Sequence, residues 1–407
     1  MSMKTNKKII KYGGAVTDLQ EEKAIIRSIK NSRKTRNWQE AEEGKLFSTE
    51  AAKFLGVKHG ILTNSGSSAG LLALSALELP VGSEVIISAV TFPTIFNIIL
   101  QCNLIPVVVD AQIGTYGFDV DDVKKAITKK TKAIIAIHPL GNPVDMPALM
   151  DMVKKQKQKI YVIEDNCDGL GTELMVDTDE GWPVYKKAGA FGDISITSFH
   201  AAHIVSMGVG GGVFTNNKEL SQKVRMYRDW GRQADIDKSE NKKHLSLPQD
   251  YNPRFIYEKI GYNFQILDLQ AAMGRVQLRK IKQIKKARQK NFEYLYEHLS
   301  KYPKLGMPHW VEGANVCWFA FPLSVAEKRG KLLKYLEKRG IETRPMFSGN
   351  ITRHPAYRNS NFKISGELEG ADLITSHSLW ISCHPSLTES DLRYIIKTFD
   401  EYFNGKK

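Results

Sequence analysis

Ser198, Phe199, His200 and His203 stand in one short stretch, SITSFHAAHIVSMGVGGGVFT, from Ser195 to Thr215. An apolar run there gives way to two imidazoles and then to Gly208, Gly210, Gly211 and Gly212. An unperturbed imidazole titrates near pH 6.5, so one side chain can take a proton and return it in the same cycle. Glycines let backbone approach a ligand closely, and Val213-Phe214-Thr215 reads as the next strand. Two carboxylates, Asp165 and Asp168, close another apolar run, Tyr161-Val162-Ile163-Glu164-Asp165-Asn166-Cys167-Asp168. Upstream, Ile61-Leu62-Thr63-Asn64-Ser65-Gly66-Ser67-Ser68 passes from a strand pattern into a helical one. A helix that starts this way offers free N–H groups and its positive end to an anion. Each feature also has a plainer reading: a satisfied core histidine at His203, and helix N-caps at Ser65 to Ser67 and at Asp165.

These residues must be held by something large. At roughly 100–200 residues per domain, a chain of 407 predicts two domains, a larger one over 1–283 and a smaller one over 284–407. From Gly60 to Asn216 strand and helix patterns alternate, with strands expected at Val85 to Val90, Val107 to Asp110 and Ala133 to Ile137. That alternation predicts an α/β fold with a mostly parallel, doubly wound sheet and helices on both faces. Helices are expected before it, over Leu19 to Ser32 and Glu40 to Leu55, and a long one runs through Arg275 to Arg288. In the smaller domain, Asn315 to Leu323 and Ile341 to Pro345 read as strands and Glu389 to Phe403 as a closing helix.

Composition narrows the class. With 42% hydrophobic and 25% charged residues the chain resembles an ordinary globular protein. No apolar run approaches the roughly 18 residues of a membrane span, and MSMKTNKKIIKYGG lacks a signal-peptide core, so a cytoplasmic location is expected. The net charge of +14 is spread over helical segments and not packed into an aromatic-interleaved patch, which argues against nucleic acid and for a solvated basic surface. Such a field also favours a nucleotide diphosphate. Cys102, Cys167, Cys317 and Cys383 form no CxxC pair, so neither a metal motif nor a disulfide is expected.

The stretch around His203 resembles the cofactor segment of the DegT/DnrJ/EryC1/StrS sugar-nucleotide aminotransferases, pyridoxal-phosphate proteins of fold type I. The resemblance covers nearly the whole chain and is strongest from Gly141 to Leu278. In that family the pattern runs Ser-Phe-His/Tyr, two residues, Lys, then a glycine-rich turn, and the Lys forms a Schiff base with the cofactor. Here the position holds His203, and only a primary amine condenses to a stable imine. The departure resembles a branch with His in this place, the 4-keto-6-deoxyhexose 3-dehydratases of CDP- and GDP-sugars.

The resemblance implies a role for each residue. Asp165 pairs with the protonated pyridine nitrogen and keeps the ring an electron sink; Asp168 faces the ring from its 3-hydroxyl side. Gly66 and Ser67 hold the cofactor phosphate, Phe92 of Thr91-Phe92-Pro93-Thr94 stacks on the ring, and Ser198 belongs to the same set. Asn263, in a stretch similar to the family's G-Y-N-x-x-x-x-D-x-Q-A-A signature, reaches the phosphate of the neighbouring subunit in a homodimer. Arg344 binds the amino donor's carboxylate or the sugar nucleotide. The plain alternatives are a core Phe92, a turn Asn263 and a surface salt bridge at Arg344.

The implied activity is C3 dehydration of an NDP-4-keto-6-deoxyhexose to a 4-keto-3,6-dideoxy sugar nucleotide, a precursor of the lipopolysaccharide O-antigen kind. Pyridoxamine phosphate is the working cofactor, with pyridoxal phosphate its other form; His203 is the base and glutamate restores the amine. In the CDP-sugar branch, cysteines after a motif like Arg228-Asp229-Trp230-Gly231-Arg232 ligate a 2Fe-2S cluster fed by a reductase. The corresponding stretch here, QADIDKSENKKHLSLPQDY, has no cysteine, so neither cluster nor reductase partner is expected. R-D-W-G-R and S-G-N-x-x-R nevertheless resemble the CDP-glucose-type relatives. The nucleotide base, CDP, GDP, dTDP or UDP, stays open. Two rival readings are an aminotransferase recruiting Lys186 or Lys187, and a non-catalytic binding or regulatory protein.

Overall fold

Short apolar runs bounded by Gly, Pro and polar residues become strands in the computed structural model, which describes residues 9–178, 181–232, 247–248, 251–252 and 255–405. In chain order they are β1 (His59–Thr63), β2 (Glu84–Ser88), β3 (Ile105–Val109), β4 (Thr131–Ile137), β5 (Tyr161–Asp165), β6 (Glu173–Val176) and β7 (Val184–Lys187). There follow β8 (Ile194–Ser198), β9 (Gly211–Thr215), β10 (Leu305–Gly306), β11 (Phe321–Val325), β12 (Arg344–Pro345), β13 (Lys363–Ile364) and β14 (Ser378–Ile381).

Eight of these form the larger sheet, in the order β1-β9-β8-β5-β4-β2-β3-β13. The strands from β8 to β13 in that order run parallel, while β9 is antiparallel to both β8 and β1. The mostly parallel α/β sheet expected from the alternation is therefore present. Side-chain alternation along the strands sends Val85, Ile87, Ile135 and Ile163 into one core and Ile86, Ile134, Ala136 and Val162 into another, so both faces are covered. Alternation of strand and helix breaks down twice. An antiparallel hairpin, β6 with β7, stands between β5 and β8, and the 199–210 loop leads straight to β9, which returns antiparallel and needs no crossover.

The helix Asp268–Leu299 runs unbroken across residues 283 and 284. Its first half lies on the helices Leu19–Thr35 and Glu42–Leu55. Asp268 itself is buried and accepts from the N–H groups of Ala41 and Gly44, each at 2.9 Å, so the signature aspartate caps a neighbouring helix. Its last turns place Phe292, Leu295 and Leu299 in a separate core with Phe321, Leu323, Ile381 and Phe399. Above that core lies a small antiparallel sheet in the order β10-β11-β14-β12. The strand expected over Asn315 to Leu323 starts later, at Phe321, because the preceding backbone is drawn toward the larger sheet. There Cys317 N donates to Thr172 Oγ1 at 2.8 Å and Phe319 N to Leu140 O at 2.9 Å. At the other end of the chain, Ile10 N donates to Gly340 O at 2.8 Å, and Tyr12 N to Glu342 Oε2 at 3.1 Å, stitching the N-terminal segment to residues 340–342. No described helix is long and apolar enough to cross a membrane.

Candidate active site

The C-terminal ends of β5 and β8, the loop after β8 and the start of the helix Gly66–Ala76 open onto one cavity of about 420 Å³. Open α/β sheets present ligand sites at such strand ends. The cavity gathers Gly66, Ser67, Phe92, Asp165, Asp168, Ser198 and His203.

One end suits an anion. Ser65 caps the helix: its Oγ accepts from Ser68 N at 3.0 Å and its carbonyl from Ala69 N at 3.0 Å. The N–H groups of Gly66 and Ser67 stay free among the described residues. Ser67 Oγ sits 2.8 Å from Thr94 Oγ1, in the first turn of the helix Pro93–Gln101, so two hydroxyls and two helix starts converge on a place fit for a phosphate. A Cβ on Gly66 would lie 2.7 Å from Ser198 Cβ, and one on Gly211 would lie 2.4 Å from the Ser65 carbonyl carbon. Gly211 thus serves the seating of β9 against the cradle, not the approach of a ligand.

The middle suits a flat cationic ring. Phe92 keeps 57% of its surface exposed on the cavity wall, so it is not a core phenylalanine. Asp165 is 7% exposed, accepts only from Cys167, whose N–H lies at 3.1 Å, and forms no ion pair with a described cationic side chain. Burial pushes its carboxyl up. A buried carboxylate so thinly satisfied calls for a cation, and a protonated ring nitrogen meets that need. Its neighbour Glu164 points to the opposite side, accepting from the N–H groups of Gly189, Phe191 and Gly192 at 2.7, 2.6 and 2.7 Å and contacting His138 Nε2 at 3.2 Å. This anchors the edge of β5 from which Asp165 projects.

The far wall carries the titratable pair His203 and Asp168. Phe199 turns inward onto Phe47, with ring centroids 5.1 Å apart, so Ser198 and His200 turn outward to the cavity. His203 Nδ1 lies 3.2 Å from the Ser198 carbonyl and Nε2 lies 3.4 Å from Asp168 Oδ1. Asp168 Oδ2 accepts from Leu140 N at 3.2 Å. Burial pushes the Asp168 carboxyl up to about 7, with the Asp165 charge adding to the rise. Burial, and then the charge on His200, push the His203 imidazole down to about 4, well below its ordinary 6.5. His203 is therefore neutral at neutral pH, with the Nε2 lone pair available.

Two expected residues lie outside the lining. Asn263 is exposed and pairs with Asp229 across an isolated antiparallel bridge. Arg344 lies over the Tyr12 ring at 4.0 Å and donates to Thr343 O at 2.8 Å, with Glu342 only within 3.9 Å, so a cation–π contact more than a surface salt bridge holds it. Tyr12 lines the cavity, and an edge-to-face series links it through Trp380 and Phe319 to His203, with centroids 5.6, 5.7 and 5.6 Å apart. Sequence reasoning missed Tyr12, Thr94, His200 and Phe347 as wall residues. Phe347 has φ 47°, a left-handed conformation rare for a bulky side chain, which no sequence pattern announced. No lysine lines the cavity among the described residues. Lys186 lies over Phe191 at 4.6 Å, and Lys187 over Phe54 at 5.1 Å, both on β7. The cysteine-free stretch after Arg232 falls mostly outside the described residues.

Comparison with known proteins shows the family and the fold. The lipopolysaccharide biosynthesis protein RfbH of Salmonella typhimurium is 38% identical over 88% of this chain and 84% of its own. The dTDP-4-dehydro-2,6-dideoxy-D-glucose 3-dehydratase of Saccharopolyspora spinosa is 35% identical over 97% of this chain and 86% of its own. Among solved structures, the Escherichia coli GDP-4-keto-6-deoxy-D-mannose 3-dehydratase with bound hydrated PLP superimposes with TM-score 0.84 at 25% identity, over 96% of this chain and 100% of that one. The sequence model of one family spans residues 19–400, taking in every wall of the cavity except Tyr12. The chain thus belongs to the DegT/DnrJ/EryC1/StrS aminotransferase family, with the fold of its pyridoxal-phosphate enzymes.

Proposed function

We propose that the protein is a pyridoxamine phosphate-dependent 3-dehydratase of an NDP-4-keto-6-deoxyhexose, yielding a 4-keto-3,6-dideoxy sugar nucleotide. One observation carries the reading: the cavity wall presents His203 with no lysine beside it among the described residues, so nothing there can hold an aldehyde cofactor covalently. Bound in the cavity, the cofactor supplies an amine for the 4-keto group and a ring that takes up electrons.

The chain's own residues do the rest. Gly66 and Ser67 N–H groups, with the Ser67 and Thr94 hydroxyls, hold the phosphate; Phe92 covers a ring face and Ser198 closes the same wall. Asp165 holds the ring nitrogen protonated. His203 Nε2 would take up the proton released in the elimination and return it to the departing C3 oxygen, with the Asp168 carboxyl 3.4 Å away keeping the imidazole in place. Arg344 and Tyr12, at the mouth, meet the diphosphate of the nucleotide or the carboxylate of glutamate, which restores the amine. Asn263, exposed, reaches the phosphate of a second copy in a homodimer. With four scattered cysteines, the chain works without an iron–sulfur cluster or a reductase, and in the cytoplasm. The division into 1–283 and 284–407, with the cofactor on the larger unit, is part of the same proposal, although Cys317, Met346 and Trp380 of the second unit pack into the first core and Ile10 of the first into the second.

The test is direct. The protein is incubated with pyridoxamine phosphate and, in turn, GDP-, CDP-, dTDP- and UDP-4-keto-6-deoxyhexoses, and products are weighed by mass spectrometry. Loss of a water's mass from one of them is expected. Amino transfer without water loss, or cofactor binding with no turnover of any sugar, would replace this reading by the aminotransferase or the non-catalytic one.

A further inference from the structure

We propose that His200 is a second catalytic imidazole, whose Nε2–H donates a hydrogen bond to the hydroxyl leaving C3. The inference rests on the dehydration reading above and adds a residue to it.

A tight turn after β8 carries both imidazoles: His203 N donates to His200 O at 2.9 Å. The two rings line the same cavity with centroids 6.0 Å apart and planes at 71°. They hold their hydrogens on opposite nitrogens. The Ser198 carbonyl, 3.2 Å from His203 Nδ1, can only accept, so Nδ1 carries the hydrogen and Nε2 the lone pair. Ala202 N–H donates to His200 Nδ1 at 3.3 Å, so that nitrogen is the acceptor and Nε2 carries the hydrogen. One turn of backbone therefore presents a basic nitrogen and a donating nitrogen side by side. Opposite tautomers let one ring accept a proton while the other donates a hydrogen bond.

Their tasks differ in kind. The Ala202 N–H aimed at Nδ1 disfavours a second hydrogen there, so His200 turns its Nε2–H to the cavity as a donor. In the elimination a C–H bond and the C3–O bond break. The C–H electron pair moves into a new double bond, and the C3–O pair leaves with the oxygen. His203 Nε2 receives the proton and passes it to that oxygen, completing water. The His200 Nε2–H steadies the charge on the departing oxygen and ends as it began.

Two measurements test this. In cofactor-free protein with 15N-labelled histidine, ring-nitrogen shifts near pH 8 should show His200 protonated at Nε2 and His203 at Nδ1, with assignments taken from His200→Gln and His203→Asn. A His200 carrying its hydrogen on Nδ1, or on both nitrogens, overturns the proposal. In turnover, His200→Phe should lower kcat by about 10- to 100-fold with KM and cofactor affinity little changed. His200→Gln, which keeps an N–H but cannot ionise, should restore most of the rate. A dehydrating wild type with an unimpaired His200→Phe overturns the inference and leaves the dehydration reading standing. A wild type that dehydrates no sugar overturns both.

Discussion

Nε2 of His203 and Oδ1 of Asp168 lie 3.4 Å apart, in surroundings that push the imidazole down to about 4 and the carboxyl up to about 7. Between those values the two side chains hold one proton, on the carboxyl side, and the imidazole keeps its lone pair.

Asp168→Asn should stabilise the cofactor-free protein in a pH-dependent way. The folded carboxyl keeps its proton up to about pH 7, whereas the unfolded one loses it near 3.8. Over that window the folded state binds more protons, so wild-type stability falls as pH rises. The variant lacks this loss. Its advantage in stability should be near zero at pH 4 and greatest above pH 7, on the order of 4 kcal/mol at most. Calorimetry across pH checks it, and a difference that does not vary with pH refutes the account.

His203→Lys should abolish dehydration by about 10³-fold or more, and should let the aldehyde form of the cofactor attach to the new amine. Borohydride reduction followed by peptide mass analysis reads the attachment at position 203. Dehydration at the wild-type rate would remove His203 from its role.

Asp165→Asn should separate folding from binding. The apo protein loses a buried carboxyl that burial disfavours, so its Tm above pH 7 should hold or rise. Affinity for pyridoxamine phosphate should fall by at least about tenfold, one lost charge-assisted bond. Equilibrium dialysis and thermal melts on one preparation suffice, and unchanged affinity would detach Asp165 from the ring nitrogen.

Gly66→Ala should damage the anion cradle. Its Cβ would stand 2.7 Å from Ser198 Cβ, so the helix start or the end of β8 must move. Overpacking of this kind costs about 1–3 kcal/mol, and cofactor affinity should fall with it. Equal Tm and equal affinity would show that the cradle yields freely.

Much of this was legible in the residues because local pattern decides it. The apolar runs of β2, β3, β4 and β5 are buried on both faces and read as continuous hydrophobic strands, and Asp165 and Ser198 stand where such runs stop. Tyr12 was not legible: its neighbours at Arg344 and Trp380 are fixed by tertiary hydrogen bonds, not by anything near it in the chain. The late start of β11 has the same origin, since Thr172 and Leu140 draw residues 317–319 away from the strand that their apolar character favours. His200 was visible as a residue type, yet its distinct task depends on one N–H, that of Ala202, which only the folded turn aims at Nδ1.

The bond from Tyr12 N to Glu342 spans 330 positions. A growing polypeptide emerging from the ribosome can therefore assemble the phosphate cradle and both aspartates well before the rim of the pocket exists. The cradle is an early product of synthesis and this part of the rim is among the last, so trimming the first dozen residues should disturb the rim at Tyr12 while leaving the cradle intact.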